Sequence, residues 1–211
     1  LTLDGLRQEM QVVKQGTGRP FNVNFFTHEP PQRDAARDAK WRQRLSAYYA
    51  ELGVPADAKG GSRAAFDAAG CELLLEFEPK VASFHFGLPA RALVQKLKAA
   101  KILVISSATT VEEARWLEGE GVDAVIAQGN EAGGHRGMFL TDDIARQPGT
   151  MALVPQVADA VKVPVIAAGG IGDGRGIAAA LALGAAGVQI GTAFMLTPEA
   201  KTGPMHRAAL K

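Results

Sequence analysis

Val163-Pro164-Val165-Ile166-Ala167-Ala168-Gly169-Gly170-Ile171-Gly172-Asp173-Gly174-Arg175-Gly176 is a β-branched apolar run that ends in a glycine turn. A helical stretch follows, Ile177 to Leu183, stopped by Gly184. Then Gly187-Val188-Gln189-Ile190-Gly191-Thr192-Ala193-Phe194 repeats the sequence of short strand and glycine bend. Strand, turn, helix, strand is the βαβ unit of a parallel sheet. Ile177 to Leu196 carries no charge, yet a helix broken at Gly184 and followed by a short strand explains it better than a membrane span.

Working outward, the same alternation runs back along the chain. Strand-like runs recur at Phe21–Phe26, Val81–Phe86, Ile102–Ser106 and Val122–Ala127. Several lack polar alternation, so cover on both faces is expected, as in parallel sheets. Helices are predicted over Asp4–Gln15, Arg91–Ala100, Met151–Val161 and Ile177–Leu183, with Pro155 expected in a first turn. Trp41, Leu45, Tyr48 and Leu52 make an amphipathic stripe. Thr110 and Glu113 have capping-box spacing ahead of Ala114-Arg115-Trp116-Leu117. The stretch from about 27 to 80 reads as an elaborated connection with two helices, split near Gly53–Gly61. It is too short for a core of its own, so 1–211 reads as a single domain.

Composition narrows the class. Of 211 residues 47% are hydrophobic, enough for one sizeable core. Lys plus Arg number 23 and Asp plus Glu 22, a net charge of +1, which argues against a nucleic-acid binder. The single cysteine, Cys71, excludes an internal disulfide and any multi-Cys zinc site. Its apolar context makes it a buried, inert thiol, and a cytoplasmic location is expected. Leu1 stands where a Met would start the chain, so a processed or incomplete N-terminus is expected.

Glycine lets an anion approach main-chain N–H groups closely, and a helix N-terminus adds favourable potential. Two glycine bends on successive strands, Gly169–Gly172 and Gly191–Thr192, therefore read as a phosphate site. Rival motifs fit poorly. There is no G-x-x-x-x-G-K-[ST]. Strict G-x-G-x-x-G fails, because Arg175 or Ile177 takes the last place. No acidic residue between Asp173 and Glu199 could hold a ribose.

A third strand ends in Gln128-Gly129-Asn130-Glu131-Ala132-Gly133-Gly134-His135-Arg136-Gly137. Such loops carry the chemistry in β/α barrels, and an imidazole there can donate, accept or act as a base. His85 sits within a strand and reads as a hydrogen-bonded pocket wall. His28 and His206 have no partner in the sequence. No metal constellation is present. The run Arg33–Arg44, basic at 33, 37, 40 and 44, reads as a solvated helix face.

Together these segments resemble the nitronate monooxygenases, the 2-nitropropane dioxygenase-like FMN enzymes. The likeness also rests on Pro20-Phe21-Asn22-Val23-Asn24-Phe25, Val81-Ala82-Ser83-Phe84-His85-Phe86-Gly87-Leu88-Pro89 and Gln189-Ile190-Gly191-Thr192. The resemblance implies an α/β fold, a (β/α)8 TIM barrel lacking its N-terminal strands in this chain. It implies one FMN-binding barrel domain over 1–211. It implies FMN beside Asn24, Gln128, Gly133, Gly134, Gly170, Gly172, Gln189, Ile190, Gly191 and Thr192, with His135 catalytic. The implied reaction is oxidation of an alkyl nitronate by O2 to a carbonyl compound and nitrite. His135 would orient the nitronate or act as a base on a nitroalkane. No nucleic-acid or membrane partner is expected. Two alternatives stay open: an NAD(P)H-dependent quinone or enoyl reductase on the same barrel, and a non-catalytic phosphate-ligand binder.

Overall fold

The computed structural model describes residues 2–30, 32, 34–58 and 64–211. They fall into two compact units, Leu1–His28 with Phe66–Lys211, and Glu29–Ala65. Leu1, Arg33 and Gly61, named above, lie outside the described residues.

The larger unit opens on α1 (Leu3–Gly16), capped by the Thr2 hydroxyl. Its six strands are β1 (Asn22–Phe26), β2 (Val81–His85), β3 (Leu103–Ala108), β4 (Ala124–Gln128), β5 (Val165–Ala168) and β6 (Gly187–Gln189). They pair in chain order, β1-β2-β3-β4-β5-β6, and every pair is parallel. Consecutive parallel strands joined by helices form the arc of a β/α barrel. All six expected strands are present, with ends shifted by at most two residues.

Each strand alternates between two faces. Val23, Ala82, Phe84, Val104, Val125, Val165 and Ala167 face the helices and form the core with Leu97, Leu117, Leu153 and Val157. Each large apolar side chain so buried contributes roughly 1.5–3 kcal/mol. The other set, Asn22, Asn24, Ser83, His85, Ser107, Gln128 and Gln189, lines the concave face. This differs from the uniform apolar cover the strand runs suggested: the outer face is apolar, the inner face largely polar.

The covering helices are α3 (Ala68–Phe77), α4 (Arg91–Ala99), α5 (Val111–Gly119), α6 (Thr150–Ala160) and α7 (Gly174–Ala182); α8 (Pro204–Ala209) follows β6. Pro155 lies inside α6, beyond the first turn where it was expected. It removes the donor for the carbonyl of Met151, which lies on an exposed part of the helix. The Thr110–Glu113 cap is half formed. Thr110 Oγ1 accepts from the Glu113 N–H at 3.2 Å, but the Glu113 carboxylate goes elsewhere. Gly184 ends the α7 region with φ +96°. Among the described residues no helix is long and apolar enough to cross a membrane. Cys71 is fully buried, and burial pushes its thiol pKa up, as expected of an inert thiol.

The smaller unit holds α2 (Ala35–Glu51), capped by Asp34, and Arg42 donates to the carbonyls of Ala56 and Ala58. Its stripe is not buried: Trp41, Tyr48 and Leu52 are exposed. Arg37, Lys40 and Arg44 flank Trp41 on that surface.

Candidate active site

The C-terminal ends of the strands open into two adjoining cavities. One, of about 560 Å³, is lined from β1 round to β6 by Asn24, Ser83, His85, Ser107, Gln128, His135 and Gln189, among others. The second, of about 720 Å³, is lined by Glu131, Gly133, Gly134, Gly170, Gly172, Gln189, Gly191 and Thr192. Ile190 lines the first, and Gln128, Gly133, Ala168, Gln189 and Gly191 are common to both. Every residue singled out from the sequence for the site thus faces one continuous space.

The second cavity is walled by main chain. Gly169 and Gly170 take φ +119° and +68°, a left-handed region that favours glycine. Among the described residues, the N–H groups of Gly170, Ile171, Gly172 and Gly191 donate to no protein acceptor. A Cβ on Gly191 would meet nothing within 4 Å, so this bend leaves an open cradle. The bends approach closely: a Cβ on Gly133 would stand 2.8 Å from Thr192 Oγ1. The α7 N-terminus contributes less than expected. Asp173 caps it, accepting from the N–H groups of Arg175 and Gly176 at 2.9 and 3.2 Å. The Arg175 side chain and those N–H groups hold the Asp173 carboxyl below the usual carboxylate range. An anion here meets the free amides of the two bends rather than the helix end.

The loop after β4 is fixed at several points. Gln128 Nε2 donates to the His135 carbonyl at 2.9 Å, and Gln128 Oε1 accepts from the Gly137 N–H at 2.7 Å. Arg136 donates to Asn130 and to Gln147, each at 2.7 Å, and Gln147 donates to the Gln128 carbonyl at 2.8 Å. Glu113, fully buried, accepts from Thr109 N and Oγ1 with one oxygen and from the Phe139 and Leu140 N–H groups with the other. Glu131 accepts from Thr150 N and Oγ1 at 2.7 and 2.9 Å, capping α6. Burial pushes the Glu131 carboxyl up, but these hydrogen bonds outweigh it and leave the group below the ordinary range.

His135 is exposed on the cavity side, its ring edge-on to Phe26 at 4.9 Å and to Phe86 at 6.0 Å between centroids. Phe86 has φ +72°, rare for an aromatic residue, and Thr27 Oγ1 donates to both the His85 and Phe86 carbonyls at 3.0 Å. His85 stands in the wall, its Nε2 3.1 Å from the His135 carbonyl and its Nδ1 3.1 Å from Ser107 Oγ. Burial lowers its pKa below the usual histidine value. On β1, Asn22 donates to Ser83 Oγ and Ser83 donates to Asn24 Oδ1, both at 2.8 Å, leaving the Asn24 amide hydrogens for the cavity. Sequence reasoning missed Ser83, Ser107 and Glu131 as site residues. For Ser83 the available signal was its period-2 spacing with His85 in an otherwise apolar strand.

A family model described as nitronate monooxygenase matches residues 1–211, the whole chain. The chain belongs to the nitronate monooxygenase family. A nitronate monooxygenase from Pseudomonas aeruginosa is 47% identical over 208 residues, covering 97% of this chain and 59% of that protein. One from Paraburkholderia phytofirmans is 44% identical over 213 residues, covering 100% of this chain and 58% of that protein. A crystal structure of a nitroalkane oxidase from Streptomyces ansochromogenes superposes with a TM-score of 0.88 at 40% identity, over 99% of this chain and 60% of that one. This family member therefore spans about three fifths of the length of the relatives it matches.

Proposed function

We propose that this chain forms the FMN-holding part of an enzyme that oxidises alkyl nitronates with O2 to a carbonyl compound and nitrite. One observation carries the reading: two glycine bends with free amides converge on a cavity that continues into another bearing His135. The residues fit FMN. The free N–H groups of Gly170, Ile171, Gly172 and Gly191 suit a phosphate dianion, and the open cradle at Gly191 admits it. Asn24, Gln128 and Gln189 offer amides to the polar edge of a flavin ring in the adjoining space. Bound FMN would supply electron transfer between the nitronate and dioxygen.

This chain's own groups bind, orient and shield. Phe26 and Phe86 flank His135 and exclude water from that side. The imidazole donates a hydrogen bond to a nitronate oxygen, or takes the α-proton of a neutral nitroalkane. The test is nitrite release from the FMN-loaded whole protein with propionate 3-nitronate in air. His135→Ala is expected to reduce nitroalkane turnover more than nitronate turnover, since the nitronate is already deprotonated. Equal losses would remove the base role. Rapid anaerobic reduction of the flavin by NADH or NADPH, without nitrite formation, would favour a reductase instead.

A further inference from the structure

Two side chains, on the strands either side of β3, converge on the carbonyl oxygen of His135: Gln128 Nε2 at 2.9 Å and His85 Nε2 at 3.1 Å. A carbonyl only accepts, so His85 Nε2 carries the hydrogen. The Nδ1 lone pair is then free to accept, and the group beside it is Ser107 Oγ at 3.1 Å. The opposite tautomer would set the Nε2 lone pair against the carbonyl lone pairs. Three strands in a row supply the pieces: His85 ends β2, Ser107 lies on β3 and Gln128 ends β4. Ser107 is almost fully buried, so its hydroxyl has little access to water as an alternative partner. The loop also passes directly over His85: a Cβ on Gly137 would stand 2.6 Å from His85 Cε1.

We infer that Ser107 is a positioning residue: by donating to His85 Nδ1 it holds the ring with Nε2–H on the His135 carbonyl, which anchors the His135 backbone and so aims the His135 imidazole into the cavity. The value of this relay for turnover rests on the proposed role of His135; its existence does not. Without the Ser107 hydroxyl, the His135 carbonyl still selects the Nε2–H tautomer, but the ring loses the partner that fixes its rotation. Part of the population then turns Nε2–H away from the His135 carbonyl, and Gln128 holds the loop alone.

The experiment is a two-bond ¹H–¹⁵N correlation spectrum of the histidine-labelled whole protein, with the His85 pattern assigned by its loss in His85→Gln. The native pattern is expected to show a protonated Nε2 and an unprotonated Nδ1. In Ser107→Ala the tautomer is expected to stay Nε2–H while the Nδ1 signal moves downfield on losing its donor, and kcat for nitronate to fall about fivefold with KM little changed, as for one lost hydrogen bond. An Nδ1 signal unmoved in Ser107→Ala overturns the relay. A shifted Nδ1 signal with unchanged kcat overturns its role in aiming His135. If native protein forms no nitrite, the functional reading fails, while the spectrum still decides the relay.

Discussion

Gln128 grips His135 through the main chain, donating to its carbonyl at 2.9 Å while accepting from the Gly137 N–H, two residues on, at 2.7 Å. One side-chain amide thus spans both polarities of the turn that presents the imidazole. Gln128→Ala leaves a buried N–H and a carbonyl without this partner, at a cost of about 1–3 kcal/mol. Gln128→Glu keeps the acceptor for Gly137 but sets a carboxylate oxygen against the His135 carbonyl. It is expected to be at least as destabilising. Urea midpoints at fixed pH check both, and a loss under 0.5 kcal/mol for Gln128→Ala would show that the clamp does not hold the loop.

Gly129 and Gly119 differ sharply in what they tolerate. A Cβ on Gly129 would lie 2.0 Å from Thr150 Oγ1 and 2.4 Å from Thr150 N, backbone at the start of α6 that cannot move aside. Gly129→Ala is expected to cost several kcal/mol or to prevent folding, as severe overpacking does. Gly119, at the end of α5, meets nothing within 4 Å. Gly119→Ala is expected to raise stability by about 0.4–1 kcal/mol through a less flexible unfolded chain. Thermal melts of the two variants side by side test the contrast.

The order of elements was legible because apolar runs, glycine stops and caps act locally. The six strands and the bends at Gly170 and Gly191 follow from that. The Trp41 stripe looked amphipathic yet is exposed on α2, because periodicity shows which residues share a face and not what covers it. Asp173 was read only as part of a glycine turn, whereas its carboxylate takes the first-turn amides of α7. The Ser107–His85 link joins residues 22 positions apart across the β2–β3 register, and the Glu113–Phe139 link joins α5 to a loop 26 positions on, so only the folded chain brings either pair together. Pro155 lies one turn deeper than expected, because α6 starts at Thr150 and tolerates the lost donor on its exposed side.

Glu113 is a buried carboxylate with a full set of donors, two on Thr109 and two on the loop backbone at Phe139 and Leu140. Glu113→Gln keeps one acceptor oxygen but turns an NH2 group toward N–H donors on one side. A destabilisation of about 2–4 kcal/mol is expected, with Glu113→Ala worse, because buried donors lose a charged acceptor. Glu112, its exposed neighbour, serves as control, and Glu112→Gln is expected to stay within about 0.5 kcal/mol. Equal urea midpoints for the Glu112 and Glu113 variants would contradict this assignment.

His85 gives the fold an acid sensitivity distinct from that of its carboxylates. Burial is the largest influence and lowers its pKa; the His135 carbonyl raises it, and the charge on a protonated His135 lowers it again. Unfolded, the imidazole titrates near about 6.5. Between that pH and the lower folded value the unfolded chain binds a proton that the folded chain refuses, so stability rises with pH there. The contribution is complete above about pH 7.5 and is lost as pH falls through 6.5 toward the folded value. Glu131 and Asp173, whose pKa values are also lowered, add their acid losses only at lower pH, below the unfolded carboxylate range of about 4. Replacing His85 with Gln removes the titration, so the slope of Tm against pH between 7 and 5 is expected to flatten, whatever happens to Tm itself. Identical slopes in the native protein and His85→Gln would mean that His85 takes up its proton as readily in the folded wall as in the open chain.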